Sequence, residues 1–193
     1  MTTNLIISAH NDDACFSMGS YIAAHPDEHF VIVSPMDGVP DDEKGKAKHI
    51  KLNFEHIEAC KCFENISTHQ GFFFDDVYAD TRDLSGLSDW FKMTLALYPD
   101  AAVFSPLGIH HPDHVLCRDI FIRHFRIDYF YQELPYFIRY PYLTENMKLL
   151  LCANRTLVTT PHHPLKEAAC KKYESQVDEG VLRDIFVEER IWK

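Results

Sequence analysis

Two clusters of residues in this chain have the types and spacing to do chemistry together. His10, Asp12 and Asp13 follow the apolar run Leu5–Ile7, and His111, Asp113 and His114 come shortly after Ala101–Phe104. His10, Asp13 and His114 amount to two imidazoles and one carboxylate. That is the ligand set of a catalytic zinc ion with one position left for water. Iron and other divalent transition metals accept the same set. Asp12 adjoins a ligand but points elsewhere, which suits a general base taking a proton from the activated water. His111 precedes His114 by about one helical turn and would sit across a substrate carbonyl. Protonated there, it would stabilise an oxyanion and deliver a proton to a leaving amine. Asp113 is expected to orient that imidazole, as carboxylates behind a histidine commonly do.

Neither cluster is specific alone. His-x-x-Asp recurs by chance, and His-x-x-His on a helix is usually a solvated face. Their weight comes from placement at the ends of two strands. Asp75-Asp76 reads as a solvated turn, His162-His163 between prolines as a surface loop, and His110 as a neighbour of the site.

The elements that must bring the clusters together follow from hydrophobic periodicity. After the first run, strands are expected at Phe30–Ser34, Gly71–Phe74, Ala101–Phe104 and Asp128–Tyr131, with another at Leu157–Thr159. Helices are expected at Ala14–Ala24, from about Gly45 to Phe63 with Ile50, Phe54 and Ile57 at helical spacing, at Leu84–Tyr98, from Pro112 to about His124, and at Lys166–Gln176. Strands alternating with helices predict an α/β fold: a mostly parallel sheet, helices on both faces and right-handed crossovers. Such sheets place their chemistry outside the carboxyl ends of the strands. No repeat or domain boundary interrupts the pattern, so residues 1–193 read as a single domain.

Composition narrows the partners. The chain has 193 residues, 46% of them hydrophobic, and a formal charge of -10. It is long enough for a sizeable core. The acidic balance argues against a nucleic-acid footprint and against docking on an anionic membrane surface. No apolar run is long enough for membrane insertion, and Met1–Asn4 lacks the basic start of a signal peptide. The six cysteines show no Cys-x-x-Cys spacing and read as reduced thiols of a cytoplasmic protein. The aromatics within 121–142 fit a core or a homo-oligomer interface equally well. A nucleotide-binding reading is weak, because no Gly-x-Gly-x-x-Gly follows the first strand and no Gly-Lys-Ser/Thr phosphate loop is present.

At these residues the chain resembles the PIG-L (LmbE-like) family of zinc-dependent N-acetylglucosaminyl de-N-acetylases. Ala9-His10-Asn11-Asp12-Asp13 followed by Gly19 is similar to that family's opening motif, Ala-His-Pro-Asp-Asp-Glu with a Gly shortly after. His111-Pro112-Asp113-His114 matches the second motif unchanged. Glu55 with Ala59, Glu133-Leu134-Pro135, and Lys166 with Tyr173-x-Ser175-Gln176 resemble later family segments. The resemblance implies a Rossmann-like three-layer sandwich and a hydrolase acting on a linear amide bond. Its substrate would be a small N-acetylated amino sugar or sugar conjugate. It implies His10, Asp13 and His114 as metal ligands, Asp12 as base and His111 as acid. Asn11 stands where the family has Pro, Ala14 where it has Glu, and Leu52 where it often has an Arg associated with substrate binding. Those departures keep a second reading in view, a non-catalytic, sugar-binding relative of the same fold.

Overall fold

The computed structural model describes residues 2–75 and 83–193. Five strands run parallel in the order β3-β2-β1-β4-β5: β1 (Thr3–Ile7), β2 (His29–Ser34), β3 (Ile66–Gln70), β4 (Ala102–Pro106) and β5 (Tyr129–Tyr131). Beyond β5 lie β7 (Glu189–Trp192) and then β6 (Leu157–Thr160), each antiparallel to its neighbour. The helices are α1 (Asp13–Ala24), α2 (Glu43–Cys60), α3 (Leu87–Ala96), α4 (Pro112–His124), α5 (Tyr136–Arg139), α6 (Pro141–Cys152), α7 (Pro164–Cys170) and α8 (Glu179–Ile185).

The central strands are continuously apolar because both faces are covered. Ile6 pairs with Ile32 and Phe104, and these pack into a core with α1 and α7. Leu5 pairs with Val31 and Val103, which face the opposite way, onto Phe91 of α3 and Phe121 of α4. Strand alternation therefore splits one apolar run between two cores.

One expectation is corrected. Residues Gly71–Phe74 are not a strand; the third strand is the polar stretch Ile66–Gln70. As the sheet edge it is covered less than its neighbours and needs no apolar run. Gly71 instead presses on the exit of β2, where an added Cβ would lie 2.5 Å from the Pro35 carbonyl oxygen. In α2 the spacing is helical, but Ile50, Phe54 and Ile57 are exposed at 67%, 64% and 52%. The buried face carries Gly45, Glu55, His56 and Ala59. Smaller differences lie at the ends: α7 stops at Cys170, and α6, α8 and β7 arise where the sequence has no clear period.

The C-terminal segment clamps α1. Lys166 and Glu189 are fully buried and paired at 2.8 Å. The Glu189 carboxylate also accepts from the amides of Ser20 (2.9 Å) and Tyr21 (2.8 Å). Gly19 is what lets α7 approach, since a Cβ there would lie 2.9 Å from Lys166 Cγ. In an ordinary helix interior Gly→Ala gains about 0.5–1 kcal/mol. Here Gly19→Ala is expected to lose about 1–3 kcal/mol through overpacking. Its denaturation midpoint should fall; an unchanged or raised midpoint would refute the close packing. Among the described residues no helix is long and apolar enough to cross a membrane.

Candidate metal centre and cleft

β1 and β4 are neighbours, and the chain leaves them in opposite directions across the sheet. The crevice beyond their carboxyl ends is the position where such sheets hold ligands. His10 lies in the turn after β1, and Asp13 opens α1. The turn is pinned locally: Ser8 Oγ donates to the His10 carbonyl at 2.6 Å and accepts from the Ala14 amide at 3.1 Å. The Tyr173 hydroxyl donates to the Asn11 carbonyl at 2.9 Å, and Glu55 accepts from the amide and hydroxyl of Ser175. The late Tyr-x-Ser-Gln motif is thus a brace for the first cluster.

The second cluster follows a tight loop. Gly108 and His110 both have positive φ, 69° and 68°, and the His111 amide donates to the Ile109 carbonyl at 2.8 Å. This is a γ-turn at His110, a strained conformation for a residue with a Cβ. Arg118 holds the loop by donating to the carbonyls of Leu107 (3.2 Å) and Gly108 (2.8 Å). His111 then caps α4, with its Nδ1 accepting from the Asp113 amide at 3.3 Å, and Pro112 occupies the first turn.

The two loops meet. His10 Nδ1 lies 3.4 Å from Asp13 Oδ2 and 3.3 Å from His114 Nε2, and Asp13 Oδ2 lies 3.2 Å from His114 Nε2. Donor atoms about 2.0–2.1 Å from a tetrahedral zinc are about 3.3–3.4 Å apart, so this near-equilateral triangle fits such an ion. A wider set of His10, His111 and His114 offers donor atoms within 4.8 Å of one another. That spread exceeds a tetrahedron edge, so Asp13 completes the tighter set and His111 stands beside it.

Both imidazoles are aimed from behind. His10 Nε2 donates to Asp113 Oδ2 at 3.2 Å, and His114 Nδ1 donates to Glu133 Oε1 at 2.6 Å. A carboxylate only accepts, so each contact turns the other ring nitrogen inward. The Asp113 carboxylate therefore holds His10, whereas its amide serves His111. Asp113 and Glu133 are fully buried, and Glu133 Oε2 also accepts from the Ile109 amide at 3.0 Å.

Charge is concentrated here. Burial works against an imidazolium at His10, but Asp113 and Asp13 outweigh it and push the pKa up to about 10. Burial likewise opposes charge at His114, which Asp13 and Glu133 raise well above its ordinary value. Burial alone would raise Asp13; His114 and His10 instead hold it well below the usual carboxylate range. Asp12 is pushed up to about 6, first by burial and then by the Asp13 charge. The carboxylates around the triad thus favour protons on its imidazoles, and a metal would compete with those protons for the ring nitrogens. Metal affinity should rise with pH as these protons become easier to remove. Calorimetric titration in buffers of different ionisation heat should show proton release; a buffer-independent heat would contradict it.

The triad opens into a cleft of about 240 Å³. Asp12, His111 and Tyr136 line it on the metal side, with the Tyr136 ring edge-on to His114 at 5.2 Å. Asn11, Asp37, Lys48, His49 and Leu52 form another part of the wall. Asp75 also lines the cleft, against its expected place in a solvated turn, while Asp76 lies outside the described residues. His110 stacks on Tyr140 at 3.8 Å, beside the site as expected. His163 caps α7 through Nδ1. The structure thus brings His10, Asp12, Asp13, His111, Asp113 and His114 together. Glu133 carried no expected role: its signal was only a Glu-Leu-Pro after a short strand.

No family model matches the chain, and no curated protein matches it by sequence. Solved structures do. The zinc-inhibited form of teicoplanin deacetylase Orf2 aligns over 99% of this chain and 97% of its own, at TM-score 0.72 and 16% identity. The A40926 pseudoaglycone deacetylase Dbv21 aligns over 99% and 96%, at TM-score 0.74 and 17% identity. N,N'-diacetylchitobiose deacetylase from Pyrococcus horikoshii aligns over 94% and 73%, at TM-score 0.62 and 18% identity. The chain has the α/β fold of these proteins over nearly its whole length.

Proposed function

We propose that this protein is a metal-dependent amide hydrolase of the PIG-L (LmbE-like) type that removes an N-acetyl group from an N-acetylglucosamine-type sugar or sugar conjugate. The observation that carries this reading is the triangle of His10, Asp13 and His114, backed by two buried carboxylates at the mouth of a cleft. The deacetylase structures that share the fold support it.

His10, Asp13 and His114 would hold the ion, with zinc first among the divalent candidates. When bound, such an ion supplies Lewis acidity and makes a water easier to deprotonate. Asp12 takes the proton of the attacking water. His111, whose Nδ1 accepts from the Asp113 amide, faces the acetyl carbonyl from the cleft wall and donates a hydrogen bond from Nε2 to the oxygen that becomes negative, while Asp12 passes the proton it took from water to the departing nitrogen. Asp113 and Glu133 fix the two ligand imidazoles, and Asp113 presents its amide to His111. The products are acetate and a free amino sugar. The acidic chain and its cleft suit a small substrate in the cytoplasm rather than a nucleic acid.

The test is acetate release by the zinc-loaded protein from a panel of N-acetylated hexosamine glycosides, with N-acetylated amino acids as controls. Release from the glycosides alone supports the reading. Tight metal binding with no release from any compound would favour the non-catalytic relative.

A further inference from the structure

The cleft wall at Asn11 has its own construction. Asp37 follows β2, and its side chain is 9% exposed. Asn11 Nδ2 donates to Asp37 Oδ1 at 2.9 Å, and His49 Nδ1 lies 3.6 Å from the same oxygen. The donors behind His49 have a fixed direction. Gln70 Nε2 donates to Asn53 Oδ1 at 2.7 Å, which leaves Asn53 Nδ2 to donate to His49 Nε2 at 3.2 Å. An imidazole that accepts at Nε2 carries its proton at Nδ1, toward Asp37. Both neighbours therefore address Oδ1. Among the described residues nothing donates to Oδ2, although Asp37 lines the same cleft as the triad.

We propose that Asp37, held by Asn11 with His49 beside it, is a hydroxyl-reading subsite whose second oxygen accepts from a ring hydroxyl of the sugar. A carboxylate on a largely buried side chain gains from a donor at its cleft-facing oxygen, and a polyol brings several. A proline at position 11 has no amide to hold Asp37, so the departure at Asn11 goes with this wall. The assignment rests on the amino-sugar reading of the site for its ligand class, but not on turnover.

The test uses deacetylated ligands, which do not react. Binding of methyl glucosaminide and its 3-, 4- and 6-deoxy analogues to the zinc-loaded protein is measured by calorimetry. One deoxy analogue should bind about 10- to 100-fold more weakly, the range for a hydrogen bond to a charged group. Asp37→Ala should bind all four alike at that weaker level, with unchanged zinc content. If Asp37→Ala fails to fold, Asp37→Asn makes the same comparison with side-chain volume retained. Equal binding of all four by the wild type, or discrimination that survives in the Asp37 variants, overturns the subsite. No binding of any glucosaminide beside acetate release from other N-acetyl compounds removes the subsite and leaves the hydrolase. Discrimination at Asp37 without acetate release removes the hydrolase and leaves the subsite.

Discussion

Asp12→Asn should retain one zinc per chain and lose about 100- to 10,000-fold in turnover, the usual contribution of a positioned general base. Asp12 stands before the first turn of α1 yet makes no side-chain capping bond, so its carboxylate is not committed to the helix. Burial and the neighbouring Asp13 push it up to about 6, within range of neutral pH. A base must be ionised, so activity should fall as pH drops through this ionisation. A bound cation favours the carboxylate, which places the acid limb at or below about pH 6. Steady-state rates from pH 4 to 9, with metal content at each point, give both readings. Full activity in Asp12→Asn would reject the role. Loss of the metal together with activity would make Asp12 part of the metal centre instead.

Glu133→Gln should weaken zinc binding about 10- to 100-fold, as loss of a carboxylate behind a ligand histidine commonly does. The amide oxygen can still accept from His114 Nδ1, but the NH2 then faces the Ile109 amide, so the change removes the charge and one of the two acceptors. Glu133→Ala goes further. It strips the acceptor from His114 Nδ1 and from the Ile109 amide, both buried. Each orphaned donor costs about 1–3 kcal/mol, so this variant should also unfold at lower denaturant. Competition with a chromophoric chelator measures the first effect and urea melts the second. Zinc affinity unchanged in Glu133→Gln would show that the carboxylate adds nothing to the His114 ligand.

Much of this site was legible because its chemistry is confined to two short segments at strand ends. Six of its residues lie within His10–Asp13 and His111–His114, and the strands ahead of them are apolar enough to read. The carboxylates behind the ligands were harder. Asp113 was expected to serve His111, but its carboxylate reaches His10, 103 residues away in sequence, once β1 and β4 lie side by side. Glu133 follows a strand of three residues, too short for a period. The polar wall of Asn11, Asp37, His49 and Asn53 had no local signal, because its partners come from three separate segments. In α2 the period was readable but not the buried face. Glu55 and His56 turn inward to Ser175 and Tyr173, and the apolar stripe is left outside. The sheet edge β3 was missed because a polar edge strand resembles a loop.

One metal at His10, Asp13 and His114 acting on an N-acetyl group is the centre of the proposed function. Its most direct test is a zinc titration of the chelator-stripped protein, with acetate release from an N-acetylglucosamine glycoside measured at each step. Activity should be absent without metal, rise in proportion to added zinc and stop rising at one equivalent per chain. Acetate release that is already complete in the stripped protein, or none at one bound equivalent, would contradict it.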